Sequence, residues 1–477
     1  MGGVLVTTLA ALMRPVQDPD FWWHLATGRW IALHLRPPAH DLFTFTVPDH
    51  VWVDHEYLTE LLMWLAYRAG GLFGVELGFG LLSFVGFLYI YRTSEPKHRP
   101  YVIVALGLAL AVLAGGPIWG PRPQMITFTF SCLELWWIKR YLTRDSRMLY
   151  ALPLLMVLWA NLHAGWVIEP AFLAGAAGTE AISYFFDRER PHLARIRTLL
   201  VIFAVSLVSI AVTPHGLSLY AYPFKTIGSH AQQALIQEWQ SPNFHLMVLR
   251  PFEAMALLLL LSFALKRPSV YELLLSLAVF ALALESDRNI EIFVAAATPV
   301  LISQWSDIWT SWSRAPAPPR VPARPWMGAT TLIALILIAA AGGVYVANGV
   351  RHQNTITAQE FPVGAANYLA AHPSLGTRMF NQYGWGGYLI WRFYPAPNRR
   401  VYIFGEAELM GDAMLNQYED VASLRANWLS ILDSRRVDYV VDNRGGALVN
   451  ALEATGRWRI AYQDNVAVVL VRKAAIS

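Results

Sequence analysis

Long apolar runs recur along almost the whole chain, and no soluble core could absorb so many of them. They fall at 72–91, 101–118, 124–142, 148–162, 165–186, 198–213, 252–265, 268–285, 290–309 and 326–347. A hydrocarbon core ~30 Å thick needs about 20 such residues in helical form, and about 17 is the lower limit. Several runs are shorter, which a large bundle tolerates where helix ends are covered by protein or face a water-filled cavity. A first run, 3–13, has no basic residues ahead of it and reads as a short first helix rather than a signal peptide. The pattern predicts a polytopic α-helical membrane protein with about eleven transmembrane helices. Composition agrees, since only 15% of the 477 residues are charged, against about a quarter in a soluble domain.

Basic residues in the short loops give the orientation. Arg92, Lys97, Arg99, Lys139, Arg140, Arg144, Arg147, Arg188, Arg190, Arg195, Arg197, Lys266, Arg267, Arg314, Arg320 and Arg324 all fall in alternate loops. Those loops are therefore expected in the cytoplasm. The intervening loops, with 14–71, 214–251 and the C-terminal region, are expected outside. No basic run is interleaved with aromatics, so nucleic acid is not an expected partner. The single cysteine, Cys132, can form no internal disulfide and no cysteine zinc site.

Two segments do not span. In the first outer loop, 14–71, a helix over 20–35 is expected, with Phe21, Trp22, Leu25, Ile31 and Leu35 as its apolar stripe and Arg36-Pro37-Pro38 as its end. A second helix, about 56–69, is too short to span and is read as lying at the outer interface; were it a span, every later loop would invert. The second segment, 350–477, reads as a small soluble α/β domain. Its strands are expected at 388–391, 401–404, 437–441 and 466–471, and its helices at 359–372, 422–434 and 446–455. The domain division is thus 1–349 and 350–477. A Pro-rich linker, 315–325, suits an extended cytoplasmic loop.

The unusual polar residues gather on the outer side. Asp18, Asp20, His24, His55, Glu56 and Glu60 share the first loop; Arg122, Gln124, Asn161, His163, Glu169, His215, Glu238, His245 and the Ser286–Asn289 turn follow on later ones. Ionisable groups near a membrane are costly and mark functional sites by default. Asp18 also suits an N-cap, and Asp20 a first-turn acid, of the 20–35 helix. His163 also suits an interfacial histidine, and Arg288 a structural partner of Asp287.

The loop Asp18-Pro19-Asp20-Phe21-Trp22-Trp23-His24-Leu25-Ala26-Thr27-Gly28 resembles the acidic first-loop motif of GT-C glycosyltransferases. These multi-span enzymes, among them oligosaccharyltransferase and protein O-mannosyltransferase catalytic subunits, take sugar from a polyprenyl-phosphate or polyprenyl-diphosphate donor. A closer resemblance, over most of the chain, is to bacterial GT-C-like membrane proteins. It rests on Pro38–Thr46, Trp52–Glu60, Trp159–His163, Thr213–Gly216, Glu238–Pro242 and Asn381–Trp391. Relatives would carry an acid at the position of Gly384 and another near Phe404, and this chain reads as having neither.

The resemblance implies a glycosyltransferase of the bacterial plasma membrane, moving a hexosyl or pentosyl group at the extracytoplasmic face. Asp20 would be the base, with Asp18 as its partner. Arg288, Arg122 and His163 would hold the donor phosphate. His24, His55, Glu56, Tyr383 and Trp385 would surround the substrates, and Glu238 and Asp18 would be oxygen ligands if Mg²⁺ or Mn²⁺ is used. Two other functions compete. A transporter or flippase of lipid-linked saccharide would show repeated halves and midplane charges, and neither is visible. A membrane-anchored binding protein would leave the acids and aromatics of the first loop without a purpose.

Overall fold

The computed structural model describes residues 2–95, 99–313 and 325–473. Lys97 and the linker 315–324 lie outside the described residues. The chain forms two compact units, one of 1–15, 75–216 and 237–350, the other of 16–74, 217–236 and 351–477. The boundary does not follow the expected division at 349/350. The first outer loop and the C-terminal region belong to the same unit.

The first unit is helical. Helix Ile290–Ser313 forms its buried centre, with Phe293, Val294, Ala297 and Ile302 almost fully enclosed. Small residues permit close approach, as is usual where packing rather than hydrophobicity drives helix association. A Cβ on Gly107 would strike Ile302, and one on Gly86 would strike Phe128. The outer faces carry exposed Leu200, Val201, Val208, Leu257 and Leu261, the surface expected of helices in lipid.

Among the described residues, three helices are long and apolar enough to cross a membrane: Tyr57–Thr93, Arg190–Ser209 and Met247–Leu265. Gly2–Leu12, Tyr101–Ala114 and Arg147–Leu162 are apolar but shorter. The expected count of about eleven therefore also draws on helices that are short or that carry buried polar groups, such as Glu134 in Gln124–Arg144.

Helix Tyr57–Thr93 is broken at Gly70 (φ −148°) and Gly71 (φ 61°). The second angle lies in the left-handed region that glycine enters without penalty. The expected short helix thus ends at the glycine pair, separate from the apolar helix that follows.

The second unit is mixed. Strands β1 (Met379–Asn381), β2 (Tyr439–Asn443), β3 (Trp458–Gln463) and β4 (Ala467–Arg472) make one sheet in the order β1-β2-β4-β3. β1 and β2 are parallel and the other pairs antiparallel. The expected strands near 437–441 and 466–471 appear as β2 and β4.

The expected strand at 388–391 is instead helix Gly386–Phe393. Gly386 and Gly387 explain the difference: a Cβ at 386 would strike Ile403 and Phe404, and one at 387 would lie 2.6 Å from the Pro19 carbonyl. Only a helix starting on two glycines packs so close. The 401–404 segment is fully buried but lies outside the sheet. It pairs with Thr44 through a single parallel bridge, and the Asn381 side chain pins it, Nδ2 donating to Ile403 O at 2.9 Å and Oδ1 accepting from Tyr402 N–H at 2.8 Å.

Several bonds tie the first loop to the C-terminal segments within this unit. The Arg29 guanidinium donates to Tyr394 O (2.8 Å), Thr46 Oγ1 to Tyr402 O (2.7 Å), and Val16 N–H to Gln353 Oε1 (2.9 Å). Helix Phe21–His34 accordingly turns its expected stripe inward, with Phe21, Trp22, Leu25 and Ile31 all buried. Leu35 is the exception: it is exposed and sits in left-handed conformation at the helix end.

Candidate functional site

In the mixed unit, the Asp18–Asp20 loop opens helix Phe21–His34. Asp18 Oδ1 accepts the Asp20 N–H at 2.8 Å, a tight local turn. Asp20, rather than Asp18, occupies the N-cap position, and its side chain does not cap the helix. Asp20 Oδ1 instead accepts Trp23 Nε1–H at 3.0 Å. Both carboxylates are half-buried.

The seat beneath this loop comes from the C-terminal segments. A Cβ on Gly405 would run into the Asp20 carboxylate, and one on Gly384 would lie 3.8 Å from Pro19 Cβ. Tyr383 O–H donates to Gly405 O at 3.5 Å, and Tyr383 N–H to Tyr418 OH at 2.9 Å. Trp23 meets Phe404 edge-on at 5.5 Å. Trp385 is buried, its Nε1–H bound to Glu360 O at 3.0 Å.

One helical turn beyond Asp20, His24 lies against Trp23, tilted by 35° with centroids 3.7 Å apart, and enters a buried group of acids. Its Nδ1 lies 3.0 Å from Glu60 Oε1 and its Nε2 3.5 Å from Glu56 Oε2. His55 Nε2 lies 3.1 Å from Glu56 Oε1, and the His55 ring lies against Tyr222, tilted by 40° with centroids 4.0 Å apart.

Burial pushes Asp54 up to about 7, against the opposing pull of the His55 charge. Burial would lower His55, but the Glu56 carboxylate beside it, with Glu406 and Asp54, carries it up to about 9. Glu406, buried against this group, is pushed up to about 8 by desolvation. Glu406 is an acid close to Phe404, where none is expected from the sequence. It stands two residues on, beside the glycine that touches Asp20, and that adjacency was the available signal.

In the helical unit, three loops line a cavity of about 310 Å³. Pro117, Ile118, Leu246, Val248, Leu249 and Ile290 give it apolar walls, and Arg122, Glu238, Asp287 and Arg288 give it charge. Arg122 pairs with the Glu238 carboxylate. Arg288 lies over the Trp239 ring, 4.4 Å from its centroid. Ser286 Oγ donates to Glu238 O (2.6 Å) and Asp287 N–H to Gln240 O (3.0 Å), so the loop carrying Glu238 is tied to the turn carrying Arg288.

Although burial disfavours its charge, Glu238 is held below the usual carboxylate range by Arg122 and Arg288. Asp287 is pushed up by burial and by Glu238.

His163 does not line this cavity. Its Nδ1 accepts Gly165 N–H at 3.1 Å and lies 2.6 Å from Thr127 Oγ1, capping the short helix that follows. Asn161 straps two segments by donating to Val157 O (2.7 Å) and Val212 O (2.8 Å).

Two guanidinium groups make Glu238 a poor ligand for a divalent cation. Asp18, His24, Glu56 and His55 have suitable donor atoms. Among the described residues, a group of three such residues with ligand atoms all within 4.8 Å of one another is formed by Asp187, Glu189 and His192, at the junction of two helices of the helical unit.

No model of a known protein family matches the chain, and no curated protein sequence matches it. Solved structures do. ArnT from Cupriavidus metallidurans bound to undecaprenyl phosphate superposes over 99% of this chain and 97% of its own, with TM-score 0.53 and 13% identity. Its apo state gives TM-score 0.55 at 13% identity, covering 98% and 96%. The oligosaccharyltransferase AglB from Archaeoglobus fulgidus, in complex with an inhibitory peptide and a dolichol-phosphate, gives TM-score 0.53 at 12% identity, covering 93% and 69%. The fold of this chain is that of the ArnT and AglB structures.

Proposed function

We propose that the protein transfers a hexosyl or pentosyl group from a polyprenyl-phosphate-linked donor to an acceptor at the outer face of a bacterial plasma membrane. The observation that carries this reading is the apolar cavity edged by Arg122 and Arg288. It combines walls for an isoprenoid with donors for a phosphate, in a fold shared with an enzyme bound to undecaprenyl phosphate.

In the reaction, the acceptor's nucleophilic atom attacks the anomeric carbon. The bond from that carbon to the phosphate oxygen breaks, and its electron pair leaves with the phosphate. Arg122 and Arg288 neutralise the departing charge. Asp20 takes the acceptor's proton, its Oδ1 fixed by Trp23 and its position by Gly405. Asp18 holds the loop through the Asp20 N–H. Tyr383, His24, His55 and Glu56 shape the surroundings of the acid. Mg²⁺ or Mn²⁺, if bound, would be taken by the carboxylates of the mixed unit and would add positive charge there.

The test is a labelled-donor assay on purified protein with a panel of polyprenyl-phosphate sugars. Transfer with release of polyprenyl phosphate is expected, and Asp20→Asn should abolish it while the protein still inserts. Wild-type turnover in that variant would sink the assignment of Asp20.

A further inference from the structure

The cavity of the helical unit contains a carboxylate where an anion-binding site would be expected to carry none. Glu238 pairs with Arg122, its charge is also felt by Arg288, and it lines the same cavity as both arginines. It is anchored through its own carbonyl, which accepts Ser286 Oγ at 2.6 Å. The backbone is therefore held while the side chain remains about 40% exposed. Two guanidinium groups facing one cavity repel each other, and a carboxylate between them offsets that repulsion. An incoming phosphate would do the same. Glu238 and a ligand phosphate thus compete for Arg122.

The competition has a consequence for which phosphate binds. A lipid phosphate carrying a sugar is a phosphodiester with one negative charge. The lipid phosphate left after transfer is a monoester that can carry two. A site that retains its own carboxylate suits the singly charged ligand and disfavours the doubly charged one, because the extra charge on the monoester meets Glu238. Two further acids face the arginines: Asp287 on the same turn, and Glu291, buried at the start of helix Ile290–Ser313. Glu238 is in ion-pair contact with Arg122 and lines the cavity beside it.

We propose that Glu238 is a built-in counterion that selects a phosphodiester lipid over a phosphomonoester lipid at the Arg122–Arg288 cavity, and that it thereby expels the product of transfer. This rests on the reading of that cavity as the donor-phosphate site. Glu238 is a specificity-determining residue and takes no part in bond making.

The experiment compares two probes on the full-length protein in detergent or nanodiscs: undecaprenyl phosphate and its methyl ester. They differ by one ionisable oxygen. Wild type is expected to bind the methyl ester at least as well as the monoester. Glu238→Gln is expected to raise monoester affinity roughly tenfold relative to the methyl ester, the size of a single partly desolvated charge contact. Glu238→Asp, which keeps the charge, should restore the wild-type ratio and guards against a folding defect in the glutamine variant.

If both lipids bind but the ratio is the same in all three proteins, the counterion role is overturned and the donor site stands. If Glu238→Gln weakens both lipids equally while Glu238→Asp does not, Glu238 is scaffold, and the proposal is again overturned. If neither lipid binds wild type, the donor-site reading itself falls, and this inference with it.

Discussion

Gly405 faces the Asp20 carboxylate so closely that no side chain fits between them. The two residues are almost the whole chain apart in sequence, yet one sets the position of the other. Gly405→Ala should therefore push Asp20 off its bond with Trp23. Overpacking of this kind costs about 1–3 kcal/mol of stability, while a misplacement of about 1 Å can cost roughly 10²-fold in rate. Transfer should fall by about that factor with the melting temperature only modestly lowered. Equal turnover in the alanine variant would show that the position of Asp20 does not matter.

Arg122 and Arg288 should respond differently to removal. Arg288→Ala loses a cation held over Trp239 and should weaken undecaprenyl phosphate binding roughly tenfold to a hundredfold, with little effect on stability. Arg122→Ala also leaves Glu238 without its ion-pair partner on this loop and should lower both affinity and melting temperature. Direct lipid binding and thermal unfolding separate the two. EDTA should leave lipid binding unchanged, because neither arginine needs a metal to hold phosphate.

The buried acids of the mixed unit predict a falling stability curve. Glu406 and Asp54 are raised by burial to about 8 and about 7. His55 is raised to about 9 by its acidic neighbours against the effect of burial. All three bind protons more tightly folded than unfolded, so stability decreases as pH rises. The acids contribute loss from their unfolded values upward to about 7 and 8. The histidine contribution is complete below its ordinary value near 6.5 and is lost through about 9. The melting temperature should therefore fall steadily from pH 6 to pH 9. Glu406→Gln should flatten the curve up to about pH 8, and an unchanged slope would refute the assignment.

Topology can be read with cysteines, since native Cys132 is buried. Val51, 68% exposed in the first loop, should react as Val51→Cys with an impermeant maleimide in intact cells. Met148, exposed in the short helical turn Arg147–Ala151 at the expected cytoplasmic end of the run 148–162, should react as Met148→Cys only after permeabilisation. The opposite pattern would invert the proposed orientation.

The residues themselves were enough to establish the membrane class, the helical runs, the end of the short helix ahead of residue 72 and the acidic loop opening a helix. Each is a local property: apolar length decides what can sit in lipid, glycine permits the left-handed turn, and the acids lie at one helix start. Tertiary structure alone decided the rest. It joined 16–74 to 351–477 in one unit and seated Asp20 on Gly405. It brought Glu406 to His55, and Glu238 to Arg122 across 116 positions. It also made a helix of 388–391, whose aromatic and branched residues read as a strand until two glycines are seen packed against distant backbone. These pairings depend on close packing between segments far apart in the chain, and no local pattern of apolar or charged residues encodes which distant partner will fit.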